Sequence, residues 1–179
     1  MFSNKALKKL ILPLIIEQIL IMAVGVADTV MVSYAGEVAI SGVGLVDMFN
    51  NLIITVLAAI DAGGAIIVSQ YIGNKDRKNA NKASSQLLTI TIVIATVIML
   101  GCLVFHRILL STFFGAIEMD VMKAATTYFL ISAISFPFLG VYNSAAALYR
   151  SMEKTRTTMY VSILMLLEII LGYLFYMLE

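Results

Sequence analysis

The sequence predicts an all-α integral membrane protein with five transmembrane helices, and three observations carry that expectation. The 179 residues are 61% hydrophobic and only 13% charged, whereas a soluble domain is about half apolar and roughly a quarter charged. Mean hydropathy is +0.98. The apolar residues gather into runs of about 20 or more, the length a helix needs to cross a bilayer and far longer than a barrel strand. Hydropathy and the polar breaks place the spans at about 10–33, 43–72, 86–107, 122–149 and 158–178.

Span one, LILPLIIEQILIMAVGVADTVMVS, follows a basic start, MFSNKALKKL. The start is like a signal peptide, but the apolar run is too long and has no small-residue cleavage site, so a retained first span is expected. Pro13 sits in its first turns, where a missing N–H costs little. The span carries two carboxylates, Glu17 and Asp28. A charge in hydrocarbon costs at least about 2.5 kcal/mol. Positions eleven apart return to within roughly 20° on a helix, so both acids look toward a bundle or a wet cavity. Asp28, in the outer half, reads as a proton or sodium site, with a structural hydrogen bond to a neighbouring helix or exposure near the outer interface as the plainer reading. Glu17, nearer the cytoplasmic side, either lines the same cavity or pairs with a loop lysine or interfacial water.

Span two exceeds a perpendicular crossing and is expected to tilt or protrude. Gly63 and Gly64 allow a bend or a close neighbour. Asp47, Asn50, Asn51 and Asp61 fall within about 100° of one another on a helical wheel, which reads as a cavity-lining stripe. The first three also lie near the outer water, where they cost little. Gly73, Asn74, Lys75 and Asp76 end the span in a turn. Span three holds Cys102, a packing residue, and reaches His106 at its outer end. One thiol forms no intrachain disulfide, and a lone histidine is a poor metal ligand set. Span four contains Pro137 and Gly140, where a kink is expected, and ends at Arg150, which reads as a lipid contact, a gate or an interface marker. Span five carries Glu168 about midway along, with no Lys or Arg at that depth. Protonation or a shared cation is the expected solution.

Ten of the twelve basic residues share one side: Lys5, Lys8, Lys9, Lys75, Arg77, Lys78, Lys82, Arg150, Lys154 and Arg156. Arg107 and Lys123 lie on the other. The N-terminus is therefore expected in the cytoplasm and the C-terminus outside. No Walker-type glycine loop, nucleophile–base pairing or metal cluster appears in the sequence, so neither ATP hydrolysis nor another enzymatic activity is expected, and no catalytic residue is proposed. No organic cofactor, no metal beyond a sodium ion and no nucleic-acid partner is expected.

The runs LILPLIIEQIL and GVADTVMVSYAG, then IIVSQYIGNKDRKNANKA and LYRSMEKTRTTMYVS, resemble in order and spacing the multidrug and toxic-compound extrusion (MATE) transporters. The resemblance covers nearly the whole chain. It implies a twelve-helix antiporter of two six-helix lobes, exchanging protons or sodium for amphipathic, often cationic compounds. Residues 1–179 would form a partial N-terminal lobe in the cell membrane. The remaining helices, or a second chain, would be needed for a complete pathway. Asp28 occupies the place of the family's coupling aspartate. The two polar positions on the fifth helix align with Glu168 and Gly172, the second of which has lost its side chain. The usual glycine and proline of the fourth-to-fifth junction read as Glu153 and Thr158. The expected function is cation-coupled drug export, with Asp28 and Glu168 binding the cation and Glu17, Asp47, Asn50, Asn51 and Asp61 lining the cavity. The alternative is a non-transporting scaffold or lipid-flippase-like fragment of related fold.

Overall fold

A computed structural model describes residues 4–115 and 117–178, with side chains described at residue 8 and over 10–115 and 117–171. Lys5, Lys9 and Gly172 lie outside the described side chains, and Glu179 outside the described residues. Five helices follow in order: α1 (Asn4–Ser33), α2 (Glu37–Gly73), α3 (Arg77–Phe114), α4 (Met119–Ser151) and α5 (Thr155–Leu178). Within the described residues, α1 to α4 are long and apolar enough to cross a membrane.

The helices run past the apolar spans expected from hydropathy. The largest extension is at α3, which begins at Arg77 rather than 86. Its first turn is polar yet helical because Asp76 caps it: Oδ1 accepts from the Asn79 backbone N–H at 3.1 Å and Oδ2 from Asn79 Nδ2 at 2.6 Å. Those bonds hold the Asp76 carboxyl below its ordinary range. Pro137 lies inside α4, which continues as one helix through it.

Two turns at the same end of the bundle share one construction. After α2, the Asn74 and Asp76 N–H groups donate to the Gln70 and Tyr71 carbonyls; after α4, those of Met152 and Lys154 donate to Leu148 and Tyr149. Lys75 (φ 59°) and Glu153 (φ 61°) take the left-handed position in each. Such a residue lets the last carbonyls be satisfied while the chain reverses.

Helices α2, α3 and α4 pack extensively on one another, and α1 packs mainly on α5. Contacts of α1 with α2 and of α4 with α5 are slight. The triple has close backbone approaches at glycines. A Cβ on Gly42 would stand 2.9 Å from the Ala125 backbone nitrogen; one on Gly140 would meet the Ala95 Cβ at 3.2 Å; one on Gly64 would run into Leu87. Gly63 has nothing within 4 Å, so of the pair only Gly64 serves packing. Between these approaches lies a buried cluster that includes Val46, Leu57, Ala95, Ala133 and Phe129. Phe49 meets the Phe129 ring edge-on at 5.1 Å. Side chains such as Leu12, Ile19, Met22, Val97 and Phe138 point outward, as suits helices solvated by lipid rather than water.

The cross-helix contacts set a depth scale. Gly42 meets Ala125, Asp47 bonds Tyr128 and Asp61 bonds Ser144, so α2 and α4 run parallel. Asp61 bonds Thr91 and Gly64 meets Leu87, so α3 runs against them. The functional candidates fall on two levels of this scale.

Candidate functional site

The level nearer the 74–76 and 152–154 turns holds two buried carboxylates. Asp61 is 2% exposed. Its Oδ1 accepts from Thr91 Oγ1 at 2.8 Å and from Ser144 Oγ at 2.7 Å, which ties α2 to α3 and α4 at one atom. Its Oδ2 is buried with no hydrogen-bond partner among the described residues. Ser144 Oγ also lies 2.9 Å from the Gly140 carbonyl. A buried carboxylate needs such donors, because leaving one of its oxygens bare costs about 1–3 kcal/mol or more.

Glu17 is 1% exposed. Its Oε2 accepts from Thr158 Oγ1 at 2.6 Å, and its Oε1 stands 3.9 Å from Arg150 Nη1. This clasp joins α1 to α5 and to the end of α4. Its cationic partner is therefore an α4 arginine rather than a loop lysine. Arg150 Nε also donates to the Ala146 carbonyl at 3.2 Å, which folds the guanidinium back along α4.

A cavity of about 480 Å³ opens between α2 and α4 on this level. Asp61, Ser69, Asn143, Arg150 and Ser151 supply its polar groups, and Ala58, Ala62 and Ala147 part of its apolar wall.

The second level lies nearer the 34–36 turn. Asp47 is half-buried and its Oδ1 accepts from the Tyr128 hydroxyl at 3.1 Å. Asn50 is half-buried, with its Oδ1 unpartnered among the described residues. Asn51 is exposed and donates through Nδ2 to the Asp47 carbonyl at 2.9 Å. Asp28 is exposed on α1 and close enough to Asp47 to interact with it electrostatically. Among the described residues no Lys or Arg is paired with either acid. Glu168 is exposed on α5 with no hydrogen bond to Asp28. Counting from the Glu17–Thr158 bond along two parallel helices brings residues 28 and 168 to nearly the same height, within roughly one residue's rise of about 1.5 Å.

The predicted residues thus divide. Asp28 and Asp47 come together with Asn50 and Asn51 nearby, while Glu17 and Asp61 are held separately by hydroxyls. Asn143 and Thr158, the latter noted in the sequence only as a departure at the fourth-to-fifth junction, complete these sites with Thr91, Tyr128 and Ser144, which carry no signal in the sequence by themselves. Hydroxyls are common in apolar helices, and only the register between helices singles these out.

Comparison with known proteins follows the same architecture. The family model described as MatE matches residues 13–174. A probable multidrug resistance protein NorM of Thermotoga maritima is 30% identical over 162 residues, covering 89% of this chain and 34% of the relative. The uncharacterized transporter YisQ of Bacillus subtilis is 27% identical over 172 residues, covering 90% of this chain and 37% of its own length. Two solved structures superpose with a TM-score of 0.82 at 20% identity, over 89% of this chain and 35% of theirs. One is a MOP superfamily transporter from Pyrococcus furiosus, described as having a binding pocket of reversed polarity; the other is an outward-facing multidrug resistance MATE family transporter. The chain spans little more than a third of the length of these relatives.

Proposed function

This chain belongs to the MatE family, and on that footing we propose that it forms most of the first lobe of a secondary multidrug exporter driven by an inward proton or sodium gradient. The exported compounds are amphipathic and often cationic. Because the matched relatives are far longer, the pathway in this reading includes helices outside residues 1–179. The basic residues orient the N-terminus toward the cytoplasm, which puts Asp28 and Asp47 on the outer side.

The observation that carries the reading is the Asp28–Asp47 pair. Two carboxylates stand on adjacent apolar helices, and no basic side chain is paired with either among the described residues. Two ionised carboxylates on facing helices repel, and in this reading a proton or a sodium ion between them relieves the repulsion. The two acids also stand on the two sides of the thin α1–α2 contact. A cation there therefore pulls the α1–α5 pair toward the α2–α4 triple, and its loss lets them part. A ligand shifts a conformational equilibrium only by its differential affinity for the two states, and this placement supplies one. Glu168, exposed at the height of Asp28, is a further oxygen donor for the same cation in the closed arrangement.

The test is gradient-driven efflux of a cationic dye from cells stripped of their own pumps, with Asp28→Asn compared at matched membrane abundance. Efflux falls at least tenfold if Asp28 couples the cation. Unchanged efflux rejects the coupling role. Replacing external sodium with choline, or adding a protonophore, identifies the driving ion.

A further inference from the structure

The two basic residues that the sequence sets apart from the other ten, Arg107 on α3 and Lys123 on α4, come together in the structure. Both line one cavity of about 470 Å³ between these helices, at the end of the bundle that holds the 34–36 turn. Arg107 is exposed, with no hydrogen bond or ion pair from its side chain among the described residues. Lys123 approaches Asp120 at 3.4 Å, but the two side chains are 70% and 71% exposed. Water screens such a pair and leaves the ammonium free to turn to another partner.

Three hydroxyls share the cavity, those of Ser111, Thr126 and Thr127. Each gives its proton to a carbonyl of its own helix, at Ile108, Met122 and Lys123 respectively. Their oxygens keep lone pairs, so they accept from a ligand rather than donate to it. The site therefore offers two cations to an anion and a set of acceptors to that ligand's own hydroxyls. The rest of the lining is apolar, at Leu110, Met119 and Met122.

Apolar surface leads away from the cations. On α3, Val104, Leu100 and Val97 stay within about 80° of Arg107 on a helical wheel, and on α4, Ile131, Ile134 and Phe138 do so relative to Lys123. All six are exposed. Because α3 runs against α4, with Ala95 beside Gly140, both stripes run from the cations toward the middle of the bundle. Charge at the end and two apolar tracks beneath it match the order of parts in a phospholipid.

We infer that this groove binds an anionic phospholipid with a hydroxylated headgroup, its phosphate between Arg107 and Lys123 and its acyl chains along the two stripes. A guanidinium grips phosphate oxygens through parallel N–H groups, and basic pockets between membrane helices are the places that hold anionic headgroups. The headgroup hydroxyls donate to Ser111, Thr126 and Thr127. A free phosphoester would meet the cations and leave the stripes unused, and a choline headgroup would bring a further cation to them. The inference uses neither the exporter reading nor coupling at Asp28, and each stands or falls without the other.

The probe is phosphatidylglycerol carrying a photoreactive diazirine near the ester end of one acyl chain. It is added to unaltered protein in phosphatidylcholine nanodiscs, in parallel with a phosphatidylcholine bearing the same diazirine. After illumination, peptide mass spectrometry is expected to find residues 97–108 and 122–134 labelled at least tenfold more by the phosphatidylglycerol probe, with no loss when glycerol 3-phosphate is added. This comparison needs no variant to fold. In the double variant Arg107→Gln with Lys123→Gln, labelling of those segments falls to the phosphatidylcholine level while labelling beside Lys75 and Arg77 is unchanged. Equal labelling by the two probes in unaltered protein overturns the proposal, as does full labelling that survives in the double variant. Displacement by glycerol 3-phosphate assigns the cations to a soluble phosphoester and overturns the lipid.

Discussion

The α2–α3–α4 triple and the α1–α5 pair are built from similar apolar residues but held in different ways. In the triple, backbones approach at Gly42, Gly64 and Gly140, and Asp61 draws a hydroxyl from each neighbour. In the pair, the polar anchor is the Glu17 clasp near the 152–154 turn, and Gly25 has open space around it. Lipid is as apolar as leucine, so helices in a membrane are held by close packing and polar contacts rather than by hydrophobic burial. The triple has both along its length. The pair packs α1 on α5, has its described polar tie at one level, and is thinly joined to the triple. That difference makes the triple the more closely tied unit and leaves the α1–α5 pair thinly joined to it.

The sharpest way to break this comparison is to add one methyl group to each region. Gly42→Ala places a Cβ against the Ala125 backbone, which cannot rotate away, so α2 and α4 must separate. Overpacking costs about 1–3 kcal/mol, and a backbone neighbour puts this at the upper end or beyond. Gly25→Ala meets nothing within 4 Å. Melting temperature in detergent is expected to fall strongly for the first and to hold for the second. Equal losses would erase the distinction.

Ser144→Ala removes one of two donors from the buried Asp61 carboxylate. A hydrogen bond to a charged group is worth about 1.5–3 kcal/mol. Denaturation followed by size-exclusion chromatography should show a loss of that order, spread over the triple as one unit.

Thr158→Val strips Glu17 of its 2.6 Å donor and costs about 1–3 kcal/mol locally. Hydrogen exchange is expected to quicken in α1 and α5 while α2, α3 and α4 keep their protection. Loosening of all five helices together would show that the pair and the triple are one body.

The smallest effect lies at Asp76, which is half-buried in the turn before α3. Its carboxyl is held below its ordinary range first by the Asn79 backbone N–H and then by the Asn79 side chain. A lowered folded value means its stabilisation is fully present above the ordinary carboxylate range and disappears as pH falls through the folded value. Asp76→Ala should fray only residues 77–80 in hydrogen exchange at neutral pH. It should match the unaltered protein once the pH is low enough to protonate that carboxyl.

The helices were legible because hydropathy over twenty residues is a strong signal. Their ends were not, because RKNANKASS at the start of α3 is polar and is helical through its cap and its projection beyond the apolar layer. Asp47 and Asp61, on one face of the wheel, both meet α4, at Tyr128 and Ser144. The wheel also grouped Asn51, which is exposed, because a projection gives direction but not depth of packing. The pairing of Glu17 with Arg150 and Thr158 spans more than 130 positions of sequence. Only the register between helices defines such a pair, and one helix read alone does not contain it.

The two matching turns, 74–76 and 152–154, bear on which sequence changes the protein tolerates. Surface loops ordinarily accept insertions at little cost. Here each reversal takes three residues with a fixed left-handed step. One added residue that is not looped out turns the following helix by about 100° and lifts it about 1.5 Å. In α3 that carries Thr91 away from Asp61, and in α5 it carries Thr158 away from Glu17. The buried carboxylates thereby proofread loop length: a slip in either short turn is felt deep inside the bundle as a charge stripped of its hydroxyl.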